Sequence, residues 1–176
     1  MKRLWYNSDT MRRKTVNILG ISIDLSSKKT ILEELRKGLV KSSAVSRQSS
    51  AKRIQPTIIV TPNPEQIVLA YENPWFAKLL NEADVALPDG IGLVAAMRLF
   101  AQLSAISYQL SASQRIPGVE FMEDLVEMAS KERVRIGLIG GTGKVAVGAF
   151  ECLQARFSGL SGVAMEAPDI TYQKSK

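Results

Sequence analysis

Apolar positions along this chain fall into two patterns. Short runs of β-branched and aliphatic residues occur at Val16–Asp24, Thr57–Val60, Asp84–Leu87, Arg135–Ile139 and Gly162–Met165, each with strand composition. Gly20 interrupts the first run, which is consistent with two short strands or one bent strand. Between the runs lie segments with helical spacing. Ser26 or Ser27 can cap a helix carrying Ile31, Leu32, Leu35 and Leu39 on one face. Pro64 suits the first turn of a helix through Ile67, Val68 and Tyr71. Asn73-Pro74 starts another, with Trp75, Phe76, Leu79 and Leu80 on its apolar face. Further helices are predicted over Ile91–Phe100, from Pro117 with Phe121, Leu125, Val126 and Met128 inward, and over Val145–Ala155. Lys41–Gln55 has no apolar period and reads as a long loop, and residues 101–114 are uncharged with weak periodicity.

Strands alternating with helices predict an α/β, Rossmann-like fold, its largely parallel sheet flanked by helices. The expected organisation is a basic arm over 1–15, one α/β domain over 16–170 and a tail over 171–176. Composition adds exclusions. With 176 residues and no histidine, Ser-His-Asp and Cys-His mechanisms are excluded, as are zinc sites needing a His ligand. One cysteine, Cys152, excludes an internal disulfide and a multi-cysteine metal cage. The net charge of +6 is uneven: residues 1–55 hold 13 Lys/Arg against 4 Asp/Glu, the remainder 10 against 13. A front third this basic suits a phosphate-rich partner such as anionic lipid, or else forms a solvated face. Its few aromatics, Trp5 and Tyr6, argue against nucleic acid. No stretch reaches the roughly 18 apolar residues of a membrane span, and no apolar segment follows the basic start as in a signal peptide. The expected location is therefore cytoplasmic, at or near a membrane surface.

In parallel sheets ligands bind beyond the carboxyl ends of the strands, which directs attention to three loops. In Pro88-Asp89-Gly90 a carboxylate sits between a stiff residue and a permissive one. It either caps the following helix or, in a chain without imidazole, serves as general base. Thr61-Pro62-Asn63 offers a hydroxyl and an amide, for capping or for binding hydroxyls and phosphate oxygens, and Glu65 and Gln66 follow in the first helical turn. Gly140-Gly141-Thr142-Gly143-Lys144 is either a tight turn or a phosphate cradle. It lacks the Walker A spacing, but Gly141, Gly143 and Ala146 fit the dinucleotide fingerprint, with Glu166 about 20 residues on. Arg115, just ahead of a helix start, is either a surface cation or a bidentate phosphate ligand.

Taken together, Thr61-Pro-Asn-Pro-Glu-Gln66, Ala83–Val94, Arg115-Ile-Pro-Gly118 and Gly137–Gly143 resemble the WecG/TagA/CpsF family of bacterial glycosyltransferases, over about Val16 to Val163. The resemblance implies an inverting enzyme that moves N-acetylmannosamine or a related hexose from a UDP-sugar to a polyprenyl-diphosphate-linked sugar. The reaction would serve teichoic acid or other cell-surface polysaccharide synthesis at the cytoplasmic face of the plasma membrane. It implies catalysis by Asp89, substrate binding by Thr61, Asn63, Gln66 and Arg115, and nucleotide binding by Gly140, Gly141, Thr142 and Gly143. It implies no cofactor and no metal, the UDP-sugar being the donor substrate. A homo-oligomer is compatible with it. Glu120 stands where the family more often has Asp, and the segment before Arg115 is longer than usual. Family members continue past the position of Lys176, so the C-terminal part of the domain is expected to be missing. The alternatives are an inactive truncated remnant that binds only nucleotide or the membrane surface, and a dinucleotide-binding oxidoreductase fragment.

Overall fold

The computed structural model describes residues 14–45, 56–103 and 115–167. Most of the expected arm and the whole expected tail lie outside these segments, as do 46–55 and 104–114. The chain divides into two compact units, Met1–Phe121 and Met122–Lys176.

The first unit opens with an antiparallel hairpin of β1 (Thr15–Ile18) and β2 (Ile21–Asp24). Alternation puts Val16, Ile18, Ile21 and Ile23 on one buried face, with Val16 opposite Ile23 and Ile18 opposite Ile21. The two-residue connection, Leu19-Gly20, has φ of 49° and 89°, the double left-handed conformation that matches strand twist. Asn17 Oδ1 accepts the Gly20 N–H at 2.9 Å. From the next layer Asn81 grips the same turn. Its Nδ2 donates to Gly20 O at 2.8 Å and its Oδ1 accepts the Ser22 N–H at 3.1 Å.

Ser27 Oγ accepts the Thr30 N–H at 3.2 Å and so caps α1 (Lys28–Val45), which buries Ile31. The helix runs past Lys41, where the apolar period stops and a loop was expected. Loss of periodicity removes a packing face without removing helical hydrogen bonds, and Lys41–Val45 contains neither Gly nor Pro to end them.

Strand β3 (Ile59–Val60) pairs in parallel with β4 (Val85–Ala86). Between them run α2 (Pro64–Glu72) and α3 (Pro74–Glu82), each opened by proline behind an asparagine cap. Trp75 and Leu79, expected on the apolar face of α3, are exposed. The helix instead turns Phe76, Ala77 and Leu80 to the core, and one nine-residue helix cannot bury both stripes. Helix α4 (Ile91–Leu103) adds Leu93 and Met97, closing a core with the hairpin isoleucines, Ile67, Ala70 and Ala86. Where α2 and α4 begin, backbone and ring meet closely. A Cβ on Gly90, whose φ is 108°, would lie 3.1 Å from Pro64 Cδ, and one on Gly92 would lie 3.3 Å from its Cγ.

Helix α5 (Gly118–Lys131) leads into the second unit, where β5 (Ile136–Ile139), α6 (Val145–Arg156) and β6 (Gly162–Met165) form a parallel β-α-β unit. Its core joins Val126, Phe150, Leu153 and Leu160, with Ile136, Leu138 and Ala164 packed against them. On the surface Arg156 forks onto Glu123 at 2.8 and 3.2 Å. The architecture is thus mixed α/β, with two parallel strand pairs and one antiparallel hairpin among the described residues.

Two stability outcomes follow from these local geometries. Leu19→Asn should raise unfolding stability by about 1 kcal/mol in urea titration, because asparagine tolerates the left-handed conformation better than leucine. Gly90→Ala should lower it by more than about 1 kcal/mol, since the new methyl meets both a positive φ and the Pro64 ring.

Candidate functional site

The site begins where the β3/β4 ladder continues beyond the regular strands. Leu87 N–H donates to Val60 O at 2.8 Å, and two residues on Asp89 N–H donates to Pro62 O at 3.1 Å. On the other side Ile116 N–H donates to Pro88 O at 3.0 Å. Three extended segments (61–62, 88–89 and 115–117) therefore lie side by side at the carboxyl ends of the strands. Pro62 and Pro88 are fully buried between them. Proline cannot donate from its nitrogen, and here each supplies only the carbonyl that the next segment needs.

Asp89 sits at the middle of this array, its side chain 30% exposed. Its Oδ2 accepts the Gly118 N–H at 3.2 Å, at the first residue of α5, where the helix dipole favours a negative charge. Arg115 approaches the other oxygen, with Nε 3.8 Å from Oδ1. That is ion-pair range but beyond hydrogen-bonding distance, so the contact leaves the guanidinium fork uncommitted. Thr61 completes the group: its hydroxyl lies 2.8 Å from where a Cβ on Gly118 would stand. Thr61, Asp89 and Arg115, taken from three separate loops, are thus brought together. So is Gly118, whose backbone contact the loop motifs did not reveal. The signal was a glycine, a poor helix former, at the first helical position directly after Pro117.

Asn63 and Gln66 are occupied with each other. Asn63 Oδ1 accepts the Gln66 N–H at 2.8 Å, and Gln66 Oε1 accepts the Asn63 N–H at 3.2 Å, a reciprocal capping box that starts α2. Their acceptor oxygens hold the backbone, while each amide nitrogen keeps its donor capacity.

The glycine turn belongs to the second unit. Gly140, Gly141, Gly143 and Lys144 all have positive φ, and the turn ends in α6 without a side-chain cap. Glu166, just past β6, sets Oε1 2.7 Å from the Lys144 N–H. The acid that the dinucleotide fingerprint would place on a ribose is here bonded to the turn itself. Among the described residues no three metal-ligating side chains lie together, and no helix is long and apolar enough to cross a membrane.

Comparison with known proteins agrees with the motif pattern. The model of the glycosyl transferase WecG/TagA/CpsF family matches residues 16–176. The chain is 28% identical over 146 residues to the N-acetylglucosaminyldiphosphoundecaprenol N-acetyl-beta-D-mannosaminyltransferase of Staphylococcus aureus strain NCTC 8325 / PS 47, covering 83% of this chain and 50% of that protein. The proteins of the same description from strains COL and MRSA252 match with the same identity and coverage. The chain spans about half the length of these curated relatives. With motifs at the strand ends, a family match across nearly the whole chain and relatives that agree, the chain belongs to the WecG/TagA/CpsF family of glycosyl transferases.

Proposed function

We propose that this chain is an inverting glycosyltransferase that moves N-acetylmannosamine or a related hexose from a UDP-sugar to a polyprenyl-diphosphate-linked sugar, with Asp89 as general base. The observation that carries the reading is a half-buried carboxylate at the carboxyl ends of two parallel strands, held by the Gly118 N–H, with an arginine beside it and Thr61 packed against the same glycine. The relatives' name supplies the sugar and the class of acceptor.

In the step, Asp89 takes the proton of the acceptor hydroxyl while that oxygen attacks the anomeric carbon of the donor. The bond from the anomeric carbon to the diphosphate oxygen breaks, and UDP leaves with the electron pair from the opposite face. Inversion follows from one displacement. Arg115 has guanidinium N–H groups to spare for a diphosphate, and charge fixed beside a developing anion is commonly a large catalytic contribution. Thr61 and the amide nitrogens of Asn63 and Gln66 offer donors to sugar hydroxyls. The glycine turn of the second unit offers backbone N–H groups and the start of α6, donors suited to phosphate oxygens. The basic front third suits work at the anionic cytoplasmic face of the plasma membrane, where such an acceptor is embedded.

The test is transfer from UDP-N-acetylmannosamine to a soluble N-acetylglucosamine-diphosphate-lipid analogue, followed by mass. Asp89→Asn should lower turnover by about 10²–10⁴-fold and leave donor affinity nearly unchanged. Saturable nucleotide binding without transfer would replace this reading with that of a binding remnant, and wild-type rates in Asp89→Asn would remove the carboxylate from its role.

A further inference from the structure

We propose that Gly118 is the positioning residue of this site: its N–H fixes one oxygen of Asp89, and its missing side chain lets the start of α5 sit close against Thr61 so that this bond can form. The inference rests on the assignment of Asp89 as base.

Two observations converge on this residue. The first is the bond from Gly118 N–H to Asp89 Oδ2 at 3.2 Å, a donor at the start of a 14-residue helix aimed at a carboxylate from another loop. Because Oδ2 is tied to backbone, the carboxylate plane is set by the fold, and Oδ1 remains for a proton from the acceptor. The second is steric. A Cβ on Gly118 would stand 2.8 Å from Thr61 Oγ1 and 3.2 Å from both Thr61 Cβ and Cγ2. Rotating the threonine gives no relief, because every staggered χ1 leaves a heavy atom in at least one of the two crowded positions. An added methyl must therefore push the start of α5 away from Thr61, and a hydrogen bond already at 3.2 Å would break.

Glycine here is not serving the backbone. Its φ lies outside the left-handed region, in contrast to Gly90, Gly140, Gly141 and Gly143. At the first position of a helix alanine is the better former by up to about 1 kcal/mol. The chain thus carries a poorer helix residue where only the close approach to Thr61 requires it. A small displacement at this point moves the general base relative to the acceptor, and misplacement of about 1 Å can lower rates by about 10²-fold.

Gly118→Ala should lower kcat by about 10–10²-fold, with KM for the UDP-sugar within about twofold of wild type, in a protein whose circular dichroism shows it still folded. The neighbouring exposed Val119→Ala should leave kcat unchanged. A second measurement needs no turnover. In the full chain the Gly118 amide should exchange its hydrogen slowly, and Asp89→Ala should quicken that exchange and move the amide resonance. A Gly118→Ala protein with wild-type kcat, or an amide indifferent to Asp89, overturns the proposal. If the wild-type chain transfers no sugar but the amide responds to Asp89→Ala, the positioning geometry stands and the functional reading above is what fails.

Discussion

The backbone hydrogen bond from Asp89 to Pro62 is the constraint on which the rest of the site depends. It extends a parallel ladder of only two paired residues per strand into the loops, and so converts two strand ends into a platform. The third segment joins by the same device, through Ile116 and Pro88. Because the contacts are between main chains, the side chains of Thr61, Asp89 and Arg115 are free of structural duty in the ladder and point chemistry, not packing, at one place. Asn63 and Gln66 show the contrary arrangement, in which the side chains hold the backbone and only their amide nitrogens remain available.

Behind the platform, the core explains why so short a ladder stays put. Val60 and Ala86 pack with the hairpin isoleucines and with Ile67, Leu80, Leu93 and Met97, so each strand end is backed by apolar side chains from three helices and a hairpin. The hairpin is itself tied to α3 through Asn81, whose amide holds both a donor and an acceptor of the turn. Glycine takes part by letting rings and backbones approach: Gly90 and Gly92 accept Pro64, and Gly118 accepts Thr61. The segments around Thr61, Asp89 and Gly118 are in this sense one packing unit written at three places in the chain.

Much of this was legible in the residues. Pro-Asn-Pro announced a capped helix, Pro-Asp-Gly a carboxylate at a strand end, and the short apolar runs all became strands. What stayed hidden depends on distance along the chain. Nothing local to Arg115 says that its guanidinium approaches Asp89, because a cation ahead of a helix has no periodic signature. The exposure of Trp75 and Leu79 was hidden for a related reason. Both stripes of α3 are apolar, and only the shape of the core decides which is buried. The extension of α1 to Val45 was missed because apolar spacing reports a packing face and is silent about the backbone hydrogen bonds that carry a helix past it. Glu166 fits a ribose-binding acid by spacing, yet its carboxylate accepts the Lys144 N–H of the turn.

The two prolines of the platform also make it resistant to slippage. Donors from the second strand come at alternate residues, Leu87 and then Asp89. A shift of one step would ask Pro88 to donate, and it has no hydrogen to give. A one-residue slip thus forfeits a bond in the buried interior, and the acidic group is held against it without any covalent lock.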